Sequence, residues 1–467
     1  MFSGDDLLAR VFAAAGPYLD SLAGRPVYDA AAAKLLPELG GPLPGAGVGA
    51  AEAIDRLLRI GTAAGTASSG PRFFHFVTGG VTPAALAADW TAALLDQNGF
   101  SRVSSPFAHE AETVVLDWLR SLFGLPAGWG GALVGSATFA NFTGLGCATH
   151  WWGGRLGADT VRDGLAGLPR MPVLSGGYVH ASARKALQML GHGRNTVEVF
   201  AADAAGRADL AGMRRRLTAL DGAPAVLIAN AGEVNAGDFD PIGELADLAA
   251  EHGCWLHVDG AFGLFAALSG RTAHLVRGIE RADSIAADAH KWLNVPYESG
   301  FALIREPDRL GAAFGMPGSP YLPAAGDPAA GYGLLGPESS RRARSLPIWA
   351  TLAAYGRDGY RDMVEHHLDL AQRLARRVDE APDLERLADV PLCIVCFRAH
   401  PPGADEAGLD DLNRALGAAL IEDGRFFAGT TVYAGRVALR PAIVNWRTTA
   451  ADIDEFVAVL RELLGRL

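Results

Sequence analysis

Ala282–Phe301 reads A-D-S-I-A-A-D-A-H-K-W-L-N-V-P-Y-E-S-G-F, and a short helix upstream Trp255–Gly263 reads W-L-H-V-D-G-A-F-G. In both, a short apolar run of strand length gives way to chemically active groups. Asp259 stands at the carboxyl end of one run, and Lys291 lies just past the end of the other. The flanking sequence repeats the pattern. M-P-V-L-S precedes a helical His180–Leu190, and T-V-E-V-F a helix over Leu210–Leu220. P-A-V-L-I-A-N precedes a helix over Pro241–His252, and G-F-A-L-I-R supplies a further strand. Short apolar strands separated by helices predict an α/β fold with a largely parallel sheet covered on both faces. Ligands of such sheets sit beyond the carboxyl ends of the strands.

The sheet region spans residues 71–349. Residues 1–70 read as a helical segment, broken at G-G-P-L-P-G-A-G-V-G. Gly45, Gly47 and Gly49 follow a proline and not a strand, so this tract is a linker and not a dinucleotide fingerprint. Residues 350–467 read as a smaller α+β domain, with an amphipathic helix over Tyr360–Arg377, a strand over Val390–Phe397 and a terminal helix from about Ala451.

Composition narrows the function. The 467 residues are 49% apolar and 20% charged, with a net charge of −11, which fits a compact cytoplasmic globule and argues against a nucleic-acid partner. Four cysteines make no disulfide scaffold, and Cys393 and Cys396, placed on one strand, would face opposite sides. The first ten residues lack the basic and apolar regions of a secretory signal, and no apolar stretch is long enough to span a membrane.

A lysine in so apolar a stretch, with an aspartate at a neighbouring strand end, suits a cofactor carried by an amine and needing an acid at its ring nitrogen. The pair suggests pyridoxal phosphate. A solvated Lys291 and an Asp259 that caps the next helix are the structural alternatives. Gly135–Asn141, G-S-A-T-F-A-N, follows an apolar run and precedes a helix, so its backbone N–H groups and the Ser136 and Thr138 hydroxyls form either a phosphate cradle or an ordinary helix cap. His180 opens a helix and either stacks on a ring or caps. His257 and Asp259 share a strand face without a third ligand, so no metal site is expected. His366 and His367 read as surface residues of a helix.

Further motifs add a family resemblance. P-R-F-F-H-F-V-T-G-G-V-T-P at Pro71–Pro83, S-P-F-A-H-E-A-E-T-V-V-L-D-W-L at Ser105–Leu119 and R-R-A-R-S-L-P-I-W at Arg341–Trp349 stand in order with the H-V-D-x-A and H-K elements. Together they resemble the group II pyridoxal-phosphate-dependent amino-acid decarboxylases, a family that includes aromatic amino acid, glutamate and diaminobutyrate decarboxylases. The resemblance implies fold type I, with a central seven-stranded sheet, and a homodimer with shared active sites. It implies that Lys291 carries the cofactor, that Asp259 meets the ring nitrogen, and that His180 and Ala261 flank the ring. It gives Ser136, Ala137 and Thr138 to the phosphate and sets His290 near phosphate and substrate. It makes Tyr332, on a mobile loop around Gly315–Gly336, the proton donor to the product.

Two departures stand out. Asp288 replaces an asparagine donor, so it must turn from the phosphate or bond to backbone. N-A-G-E-V-N at Asn230–Asn235 replaces a threonine-containing run, leaving Asn235 or Asn230 to make the polar contact and Glu233 to face either substrate or an external salt bridge. Phe73, Phe74, Phe107 and Tyr332 favour a flat aromatic substrate, with core packing the alternative for the Phe73–Phe74 pair. The expected reaction converts an L-amino acid to its amine and carbon dioxide. Its rivals are decarboxylation of an acidic or diamino substrate, a decarboxylating aldehyde synthase, an aminotransferase using Arg440 or Arg447 for the α-carboxylate, and a catalytically dead binding protein.

Overall fold

Apolar residues on successive positions of the central strands are buried to opposite sides. In the computed structural model, which describes residues 6–316 and 330–467, Leu227 and Ala229 join one core while Val226 and Ile228 join another. That is the expected result for strands with helices on both faces. The strands are β1 (Gly130–Val134), β2 (Val173–Ser175), β3 (Val197–Val199), β4 (Val226–Asn230), β5 (Trp255–Asp259), β6 (Ser284–Asp288) and β7 (Gly300–Ile304), in the sheet order β1-β7-β6-β5-β4-β2-β3. Only β7 runs against its neighbours, pairing antiparallel with both β6 and β1. The expected mostly parallel seven-stranded sheet is thus present.

Register sets the functional edge. Asn230 lies opposite Asp259, and Asp259 opposite Ala286, so the carboxyl ends of β4, β5 and β6 finish side by side. Before the sheet come α1 (Leu7–Ser21), α2 (Ala50–Ala64), α3 (Pro83–Leu95) and α4 (Pro106–Leu122). Thr82 and Ser105 cap α3 and α4, each followed by a proline at the first helical position, where its missing N–H costs nothing. The sheet is covered by α5 (Ala137–Arg155), α6 (Ala181–Met189), α7 (Leu210–Ala219) and α8 (Ile242–His252). After β6 and β7 come a single turn, α9 (Ala289–Trp292), and α10 (Asp308–Phe314).

The remaining chain forms α11 (Ser345–Glu380), β8 (Leu384–Arg386), β9 (Phe397–Ala399), α12 (Glu406–Asp423), β10 (Thr430–Tyr433), β11 (Arg436–Leu439) and α13 (Ala450–Leu464). Its four strands make an antiparallel sheet in the order β10-β11-β9-β8. The helix expected over Tyr360–Arg377 is the second part of α11, set off from the first by Gly356, whose φ of 62° breaks the helix. No helix among the described residues is long and apolar enough to cross a membrane.

Two expectations are corrected. Val390–Phe397 is not one strand, because only Phe397 belongs to β9. This apolar run passes between two cores: Leu392, Cys393 and Ile394 pack with the large sheet, and Val395 and Phe397 with the small one. Hydrophobicity marks its burial, not its pairing. His367, read as a surface residue, is fully buried, while His366 is exposed. Adjacent helical residues point about 100° apart, and His367 falls on the face of Val364, Leu368 and Ala371. It accepts the Trp292 indole N–H at 2.8 Å on Nδ1 and meets the Asn445 carbonyl at 3.0 Å through Nε2.

Candidate active site

At the shared strand edge lies a cavity of about 280 Å³ that holds Lys291, Asp259, His180, His290, Asp288 and Arg440 together. Topology explains the meeting. Asp259 ends β5, Lys291 sits on the one-turn α9 that follows β6, and His180 is the N-cap of α6. Backbone contact fixes α9: Gly79 N–H donates to the His290 carbonyl at 3.3 Å, and a Cβ at Gly79 would lie 1.6 Å from the Lys291 carbonyl oxygen. Only glycine fits there.

The Lys291 ammonium lies 3.1 Å from Asp288 Oδ2 and 5.6 Å from the centre of the Phe262 ring. Asp288 Oδ1 accepts the Ala137 N–H at 2.5 Å, at the first turn of α5. The carboxylate therefore bonds to backbone, one of the two outcomes the sequence leaves open. His290 stacks on Tyr297 with ring centres 4.3 Å apart, and its Nδ1 accepts the Ser299 N–H at 3.3 Å. That leaves hydrogen on Nε2, which faces Asp288 at 3.4 Å. Burial pushes the His290 pKa down, keeping the ring neutral. His180 is likewise pushed down by burial, and its Nδ1 lies 2.6 Å from the Ser182 hydroxyl.

Asp259 is buried and accepts two hydrogen bonds, from Asn141 Nδ2 at 3.0 Å and from the Ala261 N–H at 3.2 Å. Ser136, Ala137 and Thr138 also line the cavity. The first intrahelical bond of α5 runs from Ala140 to the Ser136 carbonyl, so the N–H groups of the preceding turn have no helical partner. Arg440, barely exposed, reaches the cavity from the end of β11 with Nε and Nη2 unpaired among the described residues. Burial lowers its pKa, and the nearest acid acting on it is Glu233. Glu233 is itself buried, with its carboxylate taken up by the N–H groups of Asn235 and Ala236, and its pKa is pushed up.

These groups fit pyridoxal phosphate. The cavity offers an amine, a buried carboxylate, a helix N-terminus for a phosphate, and an orphaned guanidinium that asks for a further anion. Among the described residues no cluster of His, Cys, Asp or Glu suits a metal.

Other residues singled out in the sequence lie elsewhere. Phe73 is buried against Phe427, with ring centres 6.0 Å apart, while its neighbours Phe76 and Val77 line the cavity. Asn230 lines the cavity, whereas Asn235 accepts the Thr431 hydroxyl at 2.5 Å away from it. Phe107 is exposed on α4. Tyr332 packs on His109 with its hydroxyl 3.0 Å from that of Thr113, outside the cavity lining of its own chain. Residues 317–329 of the expected Gly315–Gly336 loop fall outside the described residues. The sequence offers Arg440 only as the carboxylate ligand of a rival aminotransferase and His257 only as an incomplete metal site, and it gives no sign of Asn141.

The chain is similar in sequence and fold to known proteins. The chain is 28% identical over 400 residues to an aromatic-L-amino-acid decarboxylase of Bacillus atrophaeus, covering 84% of this chain and 81% of that one. It is 31% identical over 432 residues to an L-2,4-diaminobutyrate decarboxylase of Rhizobium meliloti strain 1021, covering 91% and 84%. The structure of Oryza sativa TDC with PLP and tryptamine superposes with a TM-score of 0.90 at 25% identity, covering 100% of this chain and 99% of that one. The pyridoxal-dependent decarboxylase conserved domain matches residues 54–400. Lys291 and Asp259 meet in one cavity inside that match: this chain belongs to the pyridoxal-dependent decarboxylases and is a pyridoxal-phosphate-dependent amino-acid decarboxylase.

Proposed function

We propose that this enzyme converts an aromatic L-amino acid to its amine, and that it works as a homodimer in the cytoplasm. The observation that carries the substrate reading is the cavity lining: Phe76, Tyr178, Phe262 and Tyr297 bring four aromatic rings to the space beside Lys291, with Arg440 as the open cation. An aromatic side chain fits rings, and a carboxylate fits an orphaned guanidinium.

Lys291 is the amine that would hold the cofactor covalently, and Asp259 the acid for its ring nitrogen. His180 and Ala261 would take its faces, and the α5 N-terminus at Ser136, Ala137 and Thr138 its phosphate. The cofactor, when bound, supplies an electron sink for the pair left by the departing carboxylate. Arg440 orients the substrate carboxylate, and the surrounding apolar walls exclude water that would screen that contact. His290, held neutral with hydrogen on Nε2, is a hydrogen-bond donor beside Lys291. Tyr332, whose pKa burial pushes up to about 12, keeps its proton at neutral pH and suits delivery of a proton to the product carbon. Because Tyr332 and Phe107 lie outside their own chain's cavity, their roles call for a second copy. Exposed Leu8, Phe12, Leu94, Val103 and Phe107 are apolar surface for that contact.

A carbon dioxide release panel over the natural L-amino acids, their ring-hydroxylated derivatives and L-2,4-diaminobutyrate, with products identified, tests the substrate. An aromatic substrate giving its amine is expected. A preference of more than about tenfold for an acidic or diamino substrate, 1.4 kcal/mol in transition-state binding, overturns the reading. Aldehyde and ammonia in place of amine overturn the product assignment.

A further inference from the structure

Asn141 and His257 do not line the cavity, yet both are fully buried and joined to the carboxylate that does. Chemistry fixes the direction of each bond in the chain. A carboxylate only accepts, so the Asn141 amide turns Nδ2 to Asp259 Oδ2, 3.0 Å away. Its Oδ1, 2.7 Å from His257 Nε2, can only accept, which puts the hydrogen on Nε2. His257 Nδ1 then accepts from the Ser284 hydroxyl at 2.8 Å, and Ser284 Oγ accepts the Trp255 indole N–H at 2.9 Å. Four donors therefore point the same way along Trp255, Ser284, His257 and Asn141, and the last ends on one oxygen of Asp259. The Ala261 N–H holds the other oxygen at 3.2 Å. Burial pushes the His257 pKa down to about 4, so the ring stays neutral and the order of donors persists at neutral pH. The packing is shaped around this ring: a Cβ at Gly144, one turn along α5 from Asn141, would come 2.8 Å from His257.

We infer that Asn141 and His257 are positioning residues that keep the Asp259 carboxylate aimed at the cofactor's ring nitrogen, an inference that rests on the role of Asp259 proposed above. Donated hydrogen bonds on both oxygens hold a carboxylate in one orientation, and a buried polar chain holds direction only while every member is satisfied. Removing Asn141 frees one Asp259 oxygen and orphans the His257 Nε2–H. Asn141 Nδ2 also donates to the Ser182 hydroxyl at 3.1 Å, which pairs with His180, and loss of that bond would touch any ring alike. The loss at Asp259 differs in one measurable way, because it reaches only a ligand that has a ring nitrogen.

The test compares two ligands on the full-length protein freed of cofactor. Dissociation constants are measured by tryptophan fluorescence for pyridoxal phosphate and for its deaza analogue, in which carbon replaces the ring nitrogen. The wild type should prefer pyridoxal phosphate, and Asp259→Asn should erase that preference. Asn141→Leu should cut the preference about tenfold, equal to 1.4 kcal/mol, with the analogue's affinity changed by less than about twofold. His257→Gln, which keeps a donor for Asn141, should cut it about threefold. Equal weakening of both ligands by Asn141→Leu, alongside a preference lost in Asp259→Asn, overturns the positioning role and leaves Asp259 in place. A preference that survives Asp259→Asn overturns the reading of Asp259 itself. Should Asn141→Leu fail to fold, His257→Gln and Ser284→Ala decide the matter, and an unchanged preference in both overturns the relay.

Discussion

The strand-edge cavity and the surface carried by α3, α4 and the turn at Tyr332 belong to the same part of the molecule but are finished to different degrees. In the cavity Asp259, Asp288, His180 and His290 all have partners from the same chain, distant in sequence for the two aspartates and local for the two histidines. On the α3–α4 surface Leu94 and Val103 are each 74% exposed and Phe107 is 53% exposed, and the Tyr332 hydroxyl meets that of Thr113. Buried charge without a partner costs far more than exposed hydrocarbon, so a single chain must complete the polar cavity itself. The apolar face can wait for a second copy. Arg440 is the exception inside the cavity, with Nε and Nη2 unpaired among the described residues.

The sharpest way to break the comparison is to remove what one chain alone provides. Lys291→Ala should abolish turnover and the visible absorption of bound cofactor, since the other two lysines of the chain, Lys34 and Lys185, do not line the cavity. Borohydride reduction followed by peptide mass spectrometry locates the adduct. Attachment at Lys34 or Lys185 would contradict a site complete within one chain.

Mixing subunits asks whether the second region really is completed from outside. Tyr332→Phe should lose most amine formation by itself. Combined with Lys291→Ala in refolded mixed dimers, it should recover about a quarter of wild-type activity. Half of random dimers are mixed, and one of their two sites then pairs an intact Lys291 with an intact Tyr332 from the other chain. No recovery, with mixed dimers demonstrated by mass, would return Tyr332 to its own cavity.

A smaller effect is expected at Asp288, which sits between the Lys291 ammonium and the α5 N-terminus. Its carboxylate occupies a position that favours anions and so competes with an incoming phosphate. Asp288→Asn keeps an oxygen for the Ala137 N–H and removes the charge. Cofactor affinity, read from equilibrium titration of the cofactor-free protein, should rise about fivefold, or ~1 kcal/mol. Weaker binding would mean that pairing with Lys291 matters more than repulsion of the phosphate.

The same contrast explains what could be read from the sequence. Lys291, Asp259 and the G-S-A-T turn were legible because the chemistry is written locally, where a strand ends and a helix or turn begins. The relay through Asn141 and His257 was not, because its members stand on α5 and β5 and meet only when the sheet forms. Asn235 and Asn230 could not be separated by sequence. Asn230 ends β4 beside Asp259, while Asn235 lies past the turn. His367 was misread because neighbours on one helix share a sequence environment but not a face. The run at Val390–Phe397 was misread because apolar residues report burial, and burial between two cores needs no strand.

Phe73 and Phe76 test the boundary between core and cavity at the finest scale. They are three residues apart in one motif, yet Phe73 is 8% exposed against Phe427 whereas Phe76 is 66% exposed at the cavity. Shortening Phe73 removes buried ring contacts that the bridge between Phe73 and Phe427 holds in place, so local relaxation cannot fill the gap fully. Phe73→Leu should therefore cost about 1–2 kcal/mol of stability, measured by urea denaturation, and leave KM within error. Phe76→Leu removes little buried area, so stability should change by less than about 0.5 kcal/mol. Its ring faces the space proposed for the substrate side chain, and KM for an aromatic amino acid should rise about threefold. Were Phe73→Leu to raise KM at unchanged stability, substrate would have to reach behind the cavity wall, and the division between a structural Phe73 and a substrate-facing Phe76 would reverse.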